Sequence, residues 1–440
     1  MSRNQTRNAC TFWHSSQDAR SPSLFPYNIS TVCTAWRAVI AIIPKYWTSI
    51  VVLTDISQSK SAISSHLEWS KGLPLCVTLT RRNPNFFDDE PATERVRVAA
   101  AMSHLLPEIH RFTALEIDVT YTSSLPRILT DIPHPAPRLE QLFLKVAKPG
   151  KFTGLFSGRP MMPDPSRFPR LQGLHLNGWN FVDIIRHCPS WFDKIGNGIP
   201  LSNTMLTVSN YRRTPDGVHG NGNFPYPLAL SALRCFKYIK LDDVEFDVPS
   251  DWLNSDNFNL TANRVELSRL SPPLVGALVP LMDADHLVIA NSSLRDVIGL
   301  SDHCPVLELS DISSSTFAAD LCRLLPLWIG VELYIYRCLG FNDNVLRMLG
   351  RLQSPSVCRT QVQCLNASEM HVLALSGCTG FSIHMLRRMI RARQKLDDDQ
   401  DYLRIHIDSG PPIAKKEKKW LERKLFEFVL DGDDDLELCS

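Results

Sequence analysis

Two eight-residue stretches, PRLEQLFL at 137–144 and PRLQGLHL at 169–176, repeat one spacing with a period of 32. Both read P-R-L-x-x-L-x-L. In an extended segment alternate side chains share a face, so Leu174 and Leu176 point inward together while Leu171 packs at the turn before them. A unit of this size cannot bury its apolar face alone. Each copy demands a neighbour stacked beside it, and the chain becomes quasi-one-dimensional.

The same apolar-x-apolar core recurs, ending at Ile117, Leu144, Leu176, Val208, Leu241, Leu267, Ile289, Leu309, Leu333, Leu375 and Ile407, with spacings of 27, 32, 32, 33, 26, 22, 20, 24, 42 and 32. Most are close to the length of a leucine-rich repeat. Helical rhythm fills the intervals at 181–188, 274–282, 317–325, 342–352 and 382–395, with Asn342 and Ser382 as N-caps whose side-chain oxygens accept the free N–H groups of the first turn. Strands alternating with helices predict an α/β solenoid, an irregular leucine-rich-repeat horseshoe with a parallel sheet. The interval of 42 predicts an irregular turn with its own short strand near 362–364.

Composition narrows the class. The 440 residues are 44% apolar and 21% charged, enough for a long stacked core, and the net charge of +1 gives no overall field for phosphate backbones or anionic membranes. No nucleic acid and no membrane are therefore expected as partners. Twelve cysteines without a C-x-x-C pair read as reduced, buried thiols rather than a disulfide framework or zinc site. The start, MSRNQTRNACTFWHSS, has no apolar run after its arginines, and the longest apolar run, 38–43, is too short for a membrane span. The expectation is an intracellular chain, cytoplasmic or nuclear and not secreted.

Residues 1–26 are polar and unpatterned, a disordered lead-in. From Ile29 an apolar helical rhythm runs to Ile43, Pro44 ends it, and 50–53 reads as a strand. The stretch VCTAWRAVIAIIPKYWTSIVVL resembles the second half of an F-box, in the form common among fungal F-box proteins with leucine-rich-like repeats. The matching positions are Val32, Cys33, Trp36, Arg37, Pro44 and Trp47. PKYWTSIVVLTD, SHLEWSKGLPLCVTLTRR and HRFTALEIDVTYTSSLP resemble that family too.

The resemblance implies a partial F-box-like helical segment at 27–56, a repeat solenoid at 57–410, and a capping helix with an acidic tail at 411–440. It also implies the substrate-recognition subunit of an SCF-type ubiquitin ligase, with a Skp-type adaptor held at the F-box and an unknown protein target on the repeats. The alternative is a non-catalytic repeat scaffold that binds protein without ligase coupling. The family's F-box opens with a Leu-Pro pair, and 1–26 offers only Leu24, separated from Pro26 by Phe25. The expectation is weak or absent adaptor binding, from a decayed copy or a start that lies upstream. Trp36 and Trp47 are expected to be buried, with Trp36→Ala costing roughly 3–5 kcal/mol.

Other candidates read as structure. Helices are expected at 57–70 and 94–110, the second burying Val96, Ala100, Leu105 and Ile109. The two His-Cys-Pro triplets, 187–189 and 303–305, lack a third group to orient a base, so proline ends a helix and cysteine fills a buried slot. PGKFTGLFSGRP at 149–160 lacks phosphate-loop order, and the aspartates at 397–401 and 431–435 lack the glycine and glutamate of a calcium loop. The loop 211–226 interrupts the array. Lys415 to Lys419 open a helix with an apolar face of Trp420, Leu421, Leu425 and Phe428, a terminal cap. No cofactor loop, metal-ligand spacing or nucleophile motif is present, so neither cofactor nor enzyme activity is expected.

Overall fold

In the computed structural model the chain divides into two compact units, residues 1–212 with 227–236, and residues 213–226 with 237–440. The structure describes residues 27–30, 32–56, 60–82, 90–148, 150, 152–153, 155, 167–196, 204–212, 226–246, 259–300, 304–351, 367, 369–395 and 403–431. The expected strand at 362–364, nearly all of the loop 211–226, most of 149–160 and the acidic runs beyond Asp431 and at 397–401 lie outside these residues.

Unit 1 begins with α1 (Tyr27–Ser30), α2 (Thr34–Ala41) and a 3-10 turn (Pro44–Trp47). Then follow β1 (Ser49–Leu53), α3 (Lys60–Trp69), β2 (Leu75–Thr80), α4 (Pro91–Leu105), β3 (Phe112–Tyr121), α5 (Ile128–Asp131) and β4 (Gln141–Lys148). β5 (Gly173–Asn177), α6 (Gly178–His187), α7 (Ser190–Gly196), β6 (Met205–Tyr211) and α8 (Tyr226–Leu233) complete it, Tyr226 itself falling in unit 2. Every strand pairs in parallel with the next. Ile50, Val77, Leu115, Leu142, Leu174 and Leu206 lie opposite one another in that order, and all are buried. The paired PRL stretches thus supply Leu142 and Leu174 to one apolar row, as their spacing predicts.

Unit 2 holds β7 (Tyr238–Val244), β8 (Leu260–Ser268), α9 (Pro272–Leu278), β9 (Met282–Ala290), β10 (Val306–Ser310), α10 (Phe317–Leu324) and β11 (Glu332–Tyr336). It continues with α11 (Asp343–Leu349), β12 (Val372–Ser376), α12 (Ile383–Gln394), β13 (Arg404–Asp408), α13 (Lys415–Lys424) and β14 (Glu427–Asp431). Its strands are also parallel and paired in chain order, so each unit is an α/β stack. The outer row runs Leu241, Leu267, Ile289, Leu309, Ile335, Leu375, Ile407 and Leu430. Asn342 and Ser382 cap α11 and α12 as expected, accepting from Asn344 N at 2.9 Å and Met385 N at 3.2 Å.

Seven strands of this unit, β7 to β13, end alike. The residue two past the outer row has positive φ at Asp243, Arg269, Asn291, Asp311, Arg337, Gly377 and Ser409. In β8 to β13 the left-handed residue directly follows the strand and turns the chain out of the sheet, and in β7 it lies one residue before the strand's end. Its own N–H is not lost, since Arg269, Asn291, Asp311, Arg337 and Gly377 donate to a carbonyl of the following strand at 2.6–3.1 Å. One residue further on, Cys338 and Cys378 donate their Sγ–H groups to the carbonyls of Leu309 and Ile335, each at 3.6 Å.

Several expectations are corrected. The helix expected from 29 to 43 is two, because Cys33 is extended (φ −161°, ψ 169°) and caps α2, its sulfur accepting from Trp36 N at 3.5 Å. The buried face of α4 is Glu94, Val98, Ala101, Met102 and Leu105, while Val96 and Ala100 face solvent. Leu333 faces Leu307 and Leu373, so the partner of Leu309 and Leu375 is Ile335, and the intervals become 335 − 309 = 26 and 375 − 335 = 40. α13 ends at Lys424, and Phe428 lies in β14 beside Ile405, so the sheet gains a strand where a helical face was expected. β2, α7 and α8 are likewise elements beyond those expected.

Candidate protein-binding face

Inward side chains of the L-x-L cores fill the space under the helices, so the alternate positions form the open face of the sheet. In unit 2 that face carries a polar chain across three strands. Arg264 Nη1 lies 2.9 Å from His286 Nδ1, and His286 Nε2 lies 3.0 Å from Glu308 Oε2. A guanidinium only donates, so Nδ1 accepts and the proton sits on Nε2, donated to the carboxylate. The imidazole is therefore neutral. Burial holds its pKa below the ordinary 6.5, Arg264 pushes the same way, and Glu308 opposes both without prevailing.

Beside this chain Tyr334 donates to Glu332 at 2.7 Å, and the rings of Tyr334 and Tyr336 stack 6.2 Å apart. Burial, then the bond to Glu332, raises the Tyr334 phenol to about 12. Lys240 pairs with Glu266 at one side, and Arg404 and His406 approach Glu427 at 3.6 and 3.9 Å at the other. In unit 1 the alternate strand positions carry Lys145 bonded to Glu116 at 2.7 Å, and His175 3.0 Å from Ser209 Oγ. Such fixed, half-buried polar and aromatic groups fit recognition of another surface. The His286 Nδ1 lone pair is taken by Arg264.

The six positions of the N-terminal resemblance split into two sets. Trp47 is 1% exposed. It donates Nε1–H to Ile40 O at 3.0 Å and meets Trp69 and His66 with ring centroids 4.4 and 4.7 Å away. Pro44 starts the 3-10 turn that delivers it, and Arg37 Nε ties α2 to α1 by donating to Ser30 O at 3.0 Å. Val32 and Cys33 are exposed. Trp36 is 52% exposed, which corrects its expected burial. Ile40 alone is buried in α2, so the side bearing Trp36 and Val39 gains no cover. The cost expected for Trp36→Ala falls accordingly to about 0.5 kcal/mol.

No protein-family model matches the chain, and no curated protein matches it.

Of the described cysteines only Cys304, Cys338 and Cys378 are buried, so the expected burial holds for part of them. Cys304 is buried just before β10, its carbonyl accepting from Trp328 Nε1 at 2.8 Å, and burial pushes its thiol up to about 12. Cys338 is pushed up to about 12 for the same reason. Cys188, half-buried, ends α6. His303 lies outside the described residues. Among the described residues no group of three or more His, Cys, Asp or Glu could hold a metal ion, and no helix is long and apolar enough to cross a membrane.

The open-face residues Arg264, His286, Glu308, Glu332, Tyr334 and Tyr336 belong to no motif in the sequence. Their signal was the alternate position of each L-x-L core, legible only once adjacent strands are in register.

Proposed function

We propose that this chain is a non-catalytic recognition subunit, reading a protein target with the open face of a leucine-rich-repeat solenoid and docking a Skp-type adaptor of an SCF-type ubiquitin ligase with its F-box-like segment. The observation that carries the reading is the pair of unbroken apolar rows under an open face of fixed polar and aromatic groups. Cys338 and Cys378 add support, since the leucine-rich-repeat pattern assigns Asn or Cys to the third residue after the outer strand leucine. Support for the adaptor comes from the solvent-facing apolar side chains Val32, Trp36, Val39 and Ile42 in and beside α2. Unpartnered apolar side chains on a short helix are what a helix-binding groove requires.

Calorimetric titration of the full chain with a purified Skp-type adaptor tests this. The expected dissociation constant is weaker than about 1 μM. Trp36→Ala should weaken it about tenfold while leaving the melting curve in place, because Trp36 contributes to contact and little to the core. A nanomolar constant indifferent to Trp36→Ala would overturn the assignment of that face. A second reading is the same scaffold without ligase coupling. No heat with the adaptor would select it.

A further inference from the structure

The charge of +1 carried by the whole chain conceals a local excess. α12, the adjoining Lys395 and α13 bear ten cationic side chains besides the buried Arg393, against two carboxylates, Glu417 and Glu422. The helices pack through Trp420, whose ring centroid lies 4.7 Å from the Arg387 guanidinium and 5.1 Å from that of Arg391. Gln394 Nε2 also donates to Lys424 O at 2.5 Å. Two guanidiniums one helical turn apart are thus held in place before any ligand arrives.

The charges work against local stability. Lys415, Lys416 and Lys418 crowd the first turn of α13, the positive end of the helix dipole, where only Glu417 has the favourable sign. An anion brought from outside offsets that repulsion. The exposed residues of α13 are Lys415, Lys416, Lys419, Glu422, Arg423 and Lys424, with no apolar side chain among them. Phe426, exposed just beyond, has the Arg404 guanidinium 5.3 Å from its ring centroid.

This composition chooses among polyanions. Protein interfaces centre on apolar and aromatic anchors and are poor in lysine, and a helix lying on a bilayer needs an apolar side to insert. A duplex backbone needs neither, because lysine and arginine bind it by releasing counterions. We propose that the face formed by α12 and α13 binds the sugar-phosphate backbone of a nucleic-acid duplex without reading its sequence. The proposal does not rest on the reading of the open sheet face or of the adaptor.

Fluorescence anisotropy of the full chain with short labelled duplexes of two unrelated sequences tests it. Equal binding of both is expected, with dissociation constants of about 1 to 100 μM at physiological salt and a steep loss between about 50 and 200 mM. The triple variant Lys416→Gln, Lys419→Gln, Arg423→Gln should bind about tenfold more weakly or worse and flatten the slope of log K against log salt by about one per lost contact. Lys60→Gln, Arg138→Gln, Arg170→Gln, equal in charge change and placed in unit 1, should leave both unchanged. Matching melting curves for the variants and wild type verify that all are folded. No duplex binding, equal loss in both triple variants, or tighter binding of a poly-aspartate peptide or of anionic vesicles would each overturn the proposal.

Discussion

Unit 2 ends seven strands with one backbone device, a left-handed residue whose N–H, in five of them, is seen to reach the next strand. In unit 1, among the described residues, only β6 carries such a residue, Asn210, one residue before its end. Elsewhere in unit 1 the Thr54 N–H closes β1 on Thr80 O at 2.8 Å, while the end of β3 and the turn around α5 rely on buried side-chain acceptors. Glu94 on α4 takes the N–H groups of Thr120 and Tyr121 at 2.7 and 3.0 Å, and Asp131 Oδ2 takes those of Arg127 and Leu155 at 2.9 and 2.6 Å. Asn180 takes that of Ile128 at 3.4 Å and donates to Pro126 O at 3.1 Å. Each unit is therefore vulnerable at a different place. A turn made by backbone tolerates Asp, Arg, Asn, Gly or Ser at its key position. An acceptor supplied by one buried side chain has no substitute.

The apolar rows are where the units should behave alike. Leu174→Asp in unit 1 and Leu307→Asp in unit 2 each put an unpaired charge into the core and should cost several kcal/mol by denaturant unfolding. A wild-type curve for either would remove that row from the core.

Acid should also weaken unit 1. Burial lowers His66, on α3, to about 4 from its ordinary 6.5, so the unfolded chain takes up the proton first. Its contribution is complete above about pH 6.5 and is lost as pH falls towards 4, about 3 kcal/mol in all. Stability curves of wild type and His66→Gln should therefore converge over that window. Parallel curves would show that His66 keeps its ordinary pKa.

The strand ends should separate the units. Glu94, 2% exposed, leaves two N–H groups without their acceptor when changed to alanine, at roughly 2–4 kcal/mol. Glu94→Gln retains one acceptor and should cost about half as much. At the corresponding place in unit 2, Gly377→Ala adds a Cβ at φ +64°, 3.0 Å from Arg337 Cγ, and should cost only about 1 kcal/mol. Equal losses for Glu94→Ala and Gly377→Ala would erase the contrast.

Much of the fold was legible because L-x-L cores and N-caps are local signals. Leu142 and Leu174 fell into one row as their shared spacing required, and Asn342 and Ser382 capped the helices their side chains announce. The slip from Ile335 to Leu333 has a physical cause: LYIY has two inward residues, and a shift of two leaves the faces unchanged, so only the partner strand decides. Trp36 failed for a similar reason, since helical spacing defines a face but not whether anything covers it. The polar chain from Arg264 to Glu308 joins residues 22 apart at each step, a contact that register creates and sequence alone does not display.

Amide hydrogen exchange compares the two kinds of strand end most directly. In wild type, the amides of Thr120 and Tyr121 and those of Arg269, Asn291, Asp311, Arg337 and Gly377 should all be protected. In Glu94→Ala the first pair should lose protection by about a hundredfold or more while the five in unit 2 keep theirs. Thr120 and Tyr121 still protected without the carboxylate, or the five exchanging freely in wild type, would contradict the distinction between side-chain and backbone closure.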